Sequence, residues 1–298
     1  MRQLSCPVCN TSPNFSPSPF SLCTCPTCGV QWTFVPEEIQ WEELYRDEVY
    51  AVVDNRASVF EKIIFAEARK VLRQAQSIFP EANRLLDFGC GKGQFLAVAK
   101  ALDWDGVGVE TEANRADFAS EKYGVRVLTS LYTQGKIQDG NFDLITLNHV
   151  LEHLPRPLIL LKELLRHNLA PRGLIYLEVP RADSWQARIA GKDWMHWDIP
   201  KHLTHWNSQT LEAELQKIGI SVAGKRGFSV HLGVLGMLQA LMSKFGFREN
   251  LIFRLKRKKT IRLMLGIAIL LPVALLLELL SVPFEKSGIL GIYGRKNG

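Results

Sequence analysis

The chain has 298 residues, of which 47 % are hydrophobic and 22 % are charged, proportions typical of a folded globular protein with one sizeable α/β domain and a small module. The formal net charge is +6, and the basic run between Leu251 and Leu263 accounts for all of it. Proteins that grip nucleic acid usually spread basic residues over a whole face, so the charge argues against that class.

Two Cys-x-x-Cys pairs lie near the start of the chain, formed by Cys6 with Cys9 and by Cys25 with Cys28. The first residues lack the apolar core of a signal peptide, so we expect a cytoplasmic protein, in which clustered thiols bind metal more often than they form disulfides. Paired cysteines at this spacing are typical ligands of tetrahedral Zn²⁺. Residues 1–35 are therefore predicted to form a zinc ribbon, and a ribbon that has lost its metal is the alternative.

The remainder of the chain is predicted to be a helical linker followed by an α/β domain. Residues 36–80 have helical periodicity in two parts, Glu37–Tyr45 and about Arg56–Phe79. Strand patterns then follow at Arg84–Phe88, Gly106–Glu110, Arg126–Thr129, Phe142–Leu147, Leu174–Val179, Ser221–Gly227 and Ile289–Arg295. Helical patterns lie between them at Gln94–Leu102, Ala113–Tyr123, Pro157–His167 and Ser208–Ile218.

This alternation of strand and helix indicates a mostly parallel sheet with helices on both faces. We predict that residues 81–298 form a Rossmann-like, doubly wound α/β domain with a seven-stranded sheet and an antiparallel last strand. Two insertions interrupt it, at residues 181–206 and at residues 229–287, and the second is hydrophobic.

A glycine-rich turn after the first strand of this sheet is the most informative segment. Gly89, Gly91 and Gly93 let the backbone turn sharply and admit a ligand, and the following helix offers free N–H groups. Asp87, two residues earlier, would repel a pyrophosphate but suits a cationic amine, which favours S-adenosylmethionine over NAD. Glu110 ends the next strand, where a carboxylate can accept hydrogen bonds from ribose hydroxyls. A tight turn without any ligand is the alternative.

Four segments in this order resemble the motifs of the class I S-adenosylmethionine-dependent methyltransferases, small-molecule branch. They are residues 87–93, 106–110, 139–154 and 169–180, and the resemblance spans roughly residues 50–298. One departure is Arg172, where the family usually has glycine. The linker after the cysteine pairs also resembles that of family members with a zinc ribbon.

The resemblance implies a role for each matching residue. Asp87 and the glycine loop would hold the methionine part of the cofactor, Glu110 the ribose, and the backbone near Ser130 the adenine, while Asn148 and His149 would line the methyl-transfer cleft. The implied cofactor-binding residues are Asp87, Gly89, Cys90, Gly91, Gly93, Glu110, Ser130, Leu131 and Asn148.

The methyl acceptor is limited by what the sequence lacks. The segment from Asn148 has no Asn/Asp-Pro-Pro-Tyr motif, which is typical of enzymes that methylate exocyclic amines of nucleic-acid bases, and no cysteine follows Cys90 to attack a pyrimidine. We therefore expect transfer to an oxygen or activated carbon of a small or lipid-linked acceptor, such as a sugar or a quinone. A zinc-ribbon nucleic-acid methyltransferase and a catalytically inactive scaffold with the cofactor fold are the alternatives.

Such a transfer usually needs a base, and histidine suits that role near neutral pH. The insertion at residues 181–206 contains Pro200-Lys-His-Leu, which resembles the acceptor-side lid of the family. His202 in this pattern is the first candidate base and His149 is the second. The alternative is that His202 only caps or positions the helix that begins at Ser208.

The segment Leu263–Leu277 contains no charged residue and follows the basic run. It is short of the about 20 residues that span a bilayer, and a predicted sheet strand follows it. We expect a hairpin dipping into one leaflet, with Val230–Phe247 as its first arm and the basic run at the headgroups. The protein would then be peripheral or monotopic on the inner face of the membrane through residues 230–284. A buried core helix or an oligomer helix is the alternative.

Overall fold

The structure is a computed structural model and describes residues 5–12, 14, 17–35, 58–129, 137, 140–257 and 259–297. The predicted linker helix Glu37–Tyr45 lies outside these residues. The strands are β1 Leu22–Thr24, β2 Gln31–Thr33, β3 Arg84–Phe88, β4 Asp105–Glu110, β5 Arg126–Thr129, β6 Phe142–Asn148, β7 Leu169–Pro180, β8 Thr204–His205, β9 Ile220–Arg226 and β10 Ile289–Lys296. The α-helices are α1 Val59–Ile78, α2 Gln94–Lys100, α3 Ala113–Tyr123, α4 Pro157–His167, α5 Trp185–Ala190, α6 Ser208–Lys217, α7 Leu235–Ser243, α8 Leu251–Arg257 and α9 Ile261–Ser281.

Seven strands form the main sheet, in the order β5-β4-β3-β6-β7-β10-β9. The pairs β3–β4, β4–β5, β3–β6 and β6–β7 are parallel, and the antiparallel part of the sheet is at its end. The predicted Rossmann-like fold class is confirmed. Because β3, β4 and β6 are neighbours and run in the same direction, their carboxyl ends meet at one edge of the sheet, which is where ligands of such sheets bind.

The sheet packs against its own helices around a core that includes Leu72, Leu85 and Leu144. Helix α1 begins where the Ser58 hydroxyl accepts a hydrogen bond from the Glu61 amide, 3.1 Å away, and it buries one apolar face. The Tyr293 hydroxyl donates a hydrogen bond to the Val71 carbonyl at 3.1 Å, which ties the last strand to this helix.

The chain divides into two compact units. The first contains Met1–Ala51, Pro180–Thr210 and Arg226–Leu290, and the second contains Val52–Val179, Leu211–Lys225 and Gly291–Gly298. The cysteine pairs and both predicted insertions thus belong to the first unit, and most of the sheet belongs to the second. Each unit has its own hydrophobic cluster.

The stretch Val230–Phe247 differs from its prediction as a membrane-inserted arm. It contains a π-turn at Val230–Val234, followed by α7. Five of its apolar residues are buried, Val234, Met237, Leu238, Ala240 and Met242, whereas Phe245 at its end is exposed. Helix α7 packs between α5 and α9. Because protein covers its apolar faces, most of this stretch is a supporting layer inside the first unit.

Helix α9 has the opposite environment. It has 21 residues, begins after the N-cap residue Thr260 and contains Pro272, and only four of its residues are buried. In the described part of the chain it is the one helix whose length and composition suffice to cross a membrane.

Candidate active site

The loop between β3 and α2 takes its shape from three glycines with left-handed backbone, Gly89, Gly91 and Gly93, at φ of 74°, 54° and 74°. A Cβ on Gly89 would lie 2.5 Å from Val150 Cγ2, and one on Gly93 would lie 2.6 Å from Ala119 Cβ. A Cβ on Gly91 would meet nothing within 4 Å. Two glycines therefore permit close packing, and the middle one faces open space in which a ligand can approach the backbone.

Asp87 lies at the base of this loop and is 2 % exposed. Its Oδ1 accepts hydrogen bonds from Thr146 Oγ1 at 2.6 Å and from Asn148 Nδ2 at 3.4 Å. Burial raises the pKa of Asp87 and these hydrogen bonds lower it; together with the charge of Glu110 the result is a pKa of about 6. A buried carboxylate that is still ionised at neutral pH fits a cationic partner.

Glu110, at the end of β4, is held by backbone N–H groups. Its Oε2 accepts a hydrogen bond from the Gly91 amide at 2.9 Å, and its Oε1 accepts hydrogen bonds from the amides of Thr111 and Glu112 at 2.9 and 3.0 Å. The structure therefore brings Glu110 to the glycine loop, beside the end of β3 that carries Asp87.

Of the four remaining predicted cofactor residues, the structure describes Asn148 and Cys90. Asn148 ends β6 and contacts Asp87 as above. Cys90 is buried, and a Cβ on Gly108 would lie 2.5 Å from its Sγ, so its side chain packs between the loop and β4. Burial raises the pKa of the Cys90 thiol, which leaves it unreactive. Ser130 and Leu131 lie outside the described residues.

His149 directly follows β6 and has positive φ, 53°. Its Nδ1 is 3.3 Å from Glu152 Oε1, and its Nε2 is 3.2 Å from Glu178 Oε1. Burial lowers the pKa of His149, but the hydrogen bonds and charges of the two glutamates outweigh it and raise that pKa to about 9. At neutral pH the ring is therefore an imidazolium that donates a hydrogen bond to Glu178 and forms an ion pair with Glu152.

Sequence reasoning missed Glu178, Glu152 and Thr146 as members of this cluster. Glu178 lies 30 residues after Asn148 in sequence, yet the β6–β7 register pairs the two. The sequence could have indicated Glu178 if the ends of the predicted neighbouring strands had been aligned, because parallel strands bring the polar residues at their ends together. The Tyr176 hydroxyl also donates to Glu178 and so fixes its carboxylate.

His202 lies in the first unit, in the loop before β8, and is 7 % exposed. Its Nδ1 is 2.8 Å from the carbonyl oxygen of His196, and its Nε2 is 4.0 Å from Asp198 Oδ2. Because a carbonyl oxygen only accepts hydrogen bonds, Nδ1 carries the proton, and in the neutral ring Nε2 carries the lone pair.

A family model described as a methyltransferase domain matches residues 60–223, more than half of the chain. The chain belongs to the class I S-adenosylmethionine-dependent methyltransferases. None of the curated proteins matches the sequence.

Solved structures agree with this methyltransferase in fold. An S-adenosylmethionine-dependent methyltransferase from Archaeoglobus fulgidus is similar over 79 % of this chain and 97 % of its own, with 20 % identity and a TM-score of 0.50. The plantazolicin methyltransferase in complex with S-adenosylhomocysteine is similar over 88 % of this chain and 92 % of its own, with 16 % identity and a TM-score of 0.52.

The four predicted zinc ligands of the methyltransferase converge in its first unit. Cys6 and Cys28 have their Sγ atoms 3.6 Å apart, those of Cys9 and Cys25 are 3.4 Å apart, and all four lie within 4.8 Å of one another. Tetrahedral zinc with bonds of about 2.3 Å requires sulfur atoms about 3.8 Å apart, so the donor set fits the ion.

Matching turns carry the two cysteine pairs. In the first, the amide of Asn10, whose φ is 60°, donates to the Cys6 carbonyl at 2.9 Å. In the second, the amide of Gly29, whose φ is 73°, donates to the Cys25 carbonyl at 3.0 Å. Glycine and asparagine are the residues that most readily adopt this left-handed conformation.

A small sheet connects the cysteine-bearing segment to the loop that contains His202. Its strand order is β1-β2-β8, and β8 is antiparallel to β2, with Trp32 opposite Thr204. The buried Thr33 donates from its amide to Leu203 O at 3.0 Å and from its hydroxyl to His202 O at 2.8 Å. The cysteine-bearing segment thus fixes the backbone of the candidate base.

Proposed function

We propose that the protein transfers the methyl group of S-adenosylmethionine to an oxygen or an activated carbon of a small or lipid-linked acceptor, such as a sugar or a quinone. The observation that carries this proposal is the buried carboxylate of Asp87 beneath a glycine loop that is open at Gly91. A cationic amine is the natural partner of such a carboxylate, and the amino-acid end of S-adenosylmethionine has one.

The residues of the site fit the cofactor in the proposed way. Asp87 would accept hydrogen bonds from the ammonium group, and Glu110 would accept them from the ribose hydroxyls. Asn148 would line the methyl-transfer cleft, and the backbone of Ser130 and Leu131 would flank the adenine. When bound, S-adenosylmethionine supplies a methyl group on a sulfonium, which is open to in-line attack.

We assign the base to His202, which would accept the acceptor's proton at Nε2. The support is its hydrogen bond to His196 O, which places the proton of the ring on Nδ1 and fixes the ring's orientation. His149 is the weaker candidate because it already carries a proton at neutral pH. Its proposed role is to bind Glu152 and Glu178 together, so that the loop after β6 keeps its left-handed turn.

A lipid-linked acceptor requires that the enzyme bind a membrane. For a cytoplasmic protein, that is the inner face of the membrane. Within the hydrophobic insertion predicted at residues 230–284, the exposed helix α9 supports peripheral contact of that kind. The two competing functions have less support. Local basic charge argues against a nucleic-acid methyltransferase, and the complete set of Asp87, glycine loop and Glu110 argues against a scaffold that has lost the cofactor.

Isothermal titration of the purified, zinc-loaded protein with S-adenosylmethionine tests the proposal first. Binding with a micromolar Kd is expected, and a screen with a labelled methyl donor against sugars, quinones and their lipid-linked forms then identifies the acceptor. No binding by the folded protein would refute the enzyme and favour the scaffold. Labelling of RNA or DNA instead would favour the nucleic-acid alternative.

The affinity for S-adenosylmethionine should depend on pH through Asp87. The cofactor ammonium needs the carboxylate form, and the pKa of Asp87 is about 6. The Kd is therefore expected to be constant above about pH 7 and to rise towards tenfold per pH unit below pH 6, because binding must then release a proton. Titrations at several pH values check this, with Asp87→Asn as a control whose weak Kd should not follow the same curve. A Kd that is unchanged down to pH 5 would contradict it.

We further propose that Cys6, Cys9, Cys25 and Cys28 bind one structural Zn²⁺. Purified wild-type protein is then expected to contain about one zinc ion per chain by mass spectrometry of the metal. The Cys9→Ser variant should lose most of it, whereas Cys23→Ser is the matched control, since Cys23 is buried in the same cluster but lies outside the ligand set. Equal zinc content in both variants would refute the assignment.

A further inference from the structure

Helix α9 presents an apolar surface that no part of the described chain covers. Ten large apolar side chains between Ile261 and Leu280 are each more than a third exposed, and Ile269, at 70 %, is among the most exposed of them. Monomeric soluble proteins rarely expose contiguous apolar surface on this scale, and such surface usually marks an interaction site. The alternative of a buried core helix does not fit these exposures.

The polar groups of α9 are arranged to leave this surface uncharged. Between Arg262 and Glu285 the only charged residue is Glu278, which is buried, and its Oε1 accepts a hydrogen bond from the Gly288 amide at 2.8 Å. A helix solvated on its outer face carries polar residues there. The outer face of α9 has apolar residues instead, so water is a poor environment for it.

Both ends of α9 are attached to the same unit of the protein. Near its start, Leu263 belongs to the cluster that contains Met242 and Leu251, and near its end Glu278 binds Gly288. Helix α7 supports it between these points. A helix fastened along its length of about 32 Å cannot cross a bilayer, but it can lie in the plane of one, with its outer face towards the acyl chains.

The start of α9 adds positive charge and a cavity. Arg254, Arg257, Lys259 and Arg262 lie in or between α8 and the first turn of α9. A cavity of about 350 Å³ has Phe247 and Leu270 among its apolar lining residues, with Arg254, Arg262 and Glu249 as its charged ones. Arg254 Nε is 3.7 Å from the carboxylate of Glu249, and Lys259 and Arg262 add further positive charge at the start of α9.

We propose that α9 and the cavity at its start form a membrane-binding surface for bilayers that contain anionic phospholipid. The helix lies parallel to the bilayer, its outer face contacts the acyl chains, and Lys259 and Arg262 contact the headgroup phosphates. Phe245, 80 % exposed near the same cavity, enters the interface. One helix makes the insertion, not a hairpin. This membrane-binding surface deepens the proposed function. It rests on that function only for the consequence that the acceptor is lipid-linked.

Flotation of the full-length protein with phosphatidylcholine vesicles, with and without phosphatidylglycerol, tests the surface. We expect the protein to float with the anionic vesicles and to be released partly by high salt. The double variant Ile269→Asp/Leu276→Asp should reduce the bound fraction at least tenfold, because it places two charges among the acyl chains. The Lys259→Gln/Arg262→Gln variant should lose about fivefold per charge on anionic vesicles only.

The matched control is Ile159→Asp, which replaces an equally exposed apolar residue on α4. It should float as the wild type does. Flotation needs no cofactor, and S-adenosylmethionine titration of each variant needs no membrane, so failure of the surface and failure of the methyltransferase proposal are distinguishable. No flotation of the wild type, or flotation unchanged in the α9 variant, would overturn the proposal. A dimer in ultracentrifugation that the same α9 substitutions dissociate would assign the face to a second copy.

Discussion

An Asp87→Asn variant is expected to bind S-adenosylmethionine about 100-fold more weakly than the wild type. The amide has nearly the same shape but no charge, so the ammonium group loses its ionic partner. Hydrogen bonds to charged groups contribute about 1.5–3 kcal/mol, and each 1.4 kcal/mol is tenfold in Kd. Isothermal titration above pH 7 measures the difference, with the exposed Asp117→Asn on α3 as the control that should bind normally.

The same variant should be more stable than the wild type without ligand. Burial raises the pKa of Asp87 from 3.8 to about 6, so the folded state binds the proton more tightly than the unfolded state does. The ionised Asp87 therefore lowers the free energy of unfolding of the wild type. This loss is absent below pH 3.8, grows as pH rises, and reaches at most about 3 kcal/mol above pH 6. A higher Tm at neutral pH together with lost binding would separate recognition from folding. Binding at wild-type affinity would assign the ammonium group to another residue.

Replacement of His202 by alanine is expected to lower kcat by about 10²–10⁴, the range for loss of a general base. The Kd for S-adenosylmethionine should not change, because Asp87 and Glu110 remain. The measurement is transfer of labelled methyl to the acceptor found in the screen. The pH profile of kcat should also lose the limb that reports deprotonation of the base.

Two further variants distinguish the base from a positioning role. His202→Asn keeps an N–H that can donate to His196 O but removes the basic Nε2. If His202 is the base, the alanine and the asparagine variants both lose activity. If His202 only positions the loop, the asparagine variant keeps its activity. The control His167→Ala removes a partly exposed histidine on α4 and should leave kcat unchanged. Wild-type activity in His202→Asn would refute the base assignment.

The sequence predicted the main sheet well because local signals and long-range packing agree there. Helix α3 ends as predicted at Tyr123, where Gly124 takes a left-handed conformation at φ 59°, and α4 begins as predicted at Pro157. The strand patterns in the sequence predicted the strands of this sheet. The residues at the strand ends, Asp87 and Glu110, then follow from the geometry of any parallel sheet.

Features that depend on distant partners could not be predicted in this way. Strand β8 has only two residues and exists because β2, about 170 residues earlier, pairs with it. Helices α7 and α9 are both apolar, and no local sequence pattern indicates which of the two is buried by the rest of the protein. The charge of His149 likewise depends on Glu178, which only the register of β6 and β7 brings near.

The sheet shared by β1, β2 and β8 bears on how this enzyme can be divided for experiments. Removing residues 1–35 would deprive β8 of its partner and expose an unpaired strand edge, which is a template for aggregation. The truncation would also remove the hydrogen bond from the Thr33 hydroxyl to the carbonyl oxygen of His202. A shortened chain would therefore lose the support of its histidine loop as well as the four proposed zinc ligands, so an inactive truncation would not test the proposed zinc site. Point changes at the cysteines, with the strands retained, are the informative design.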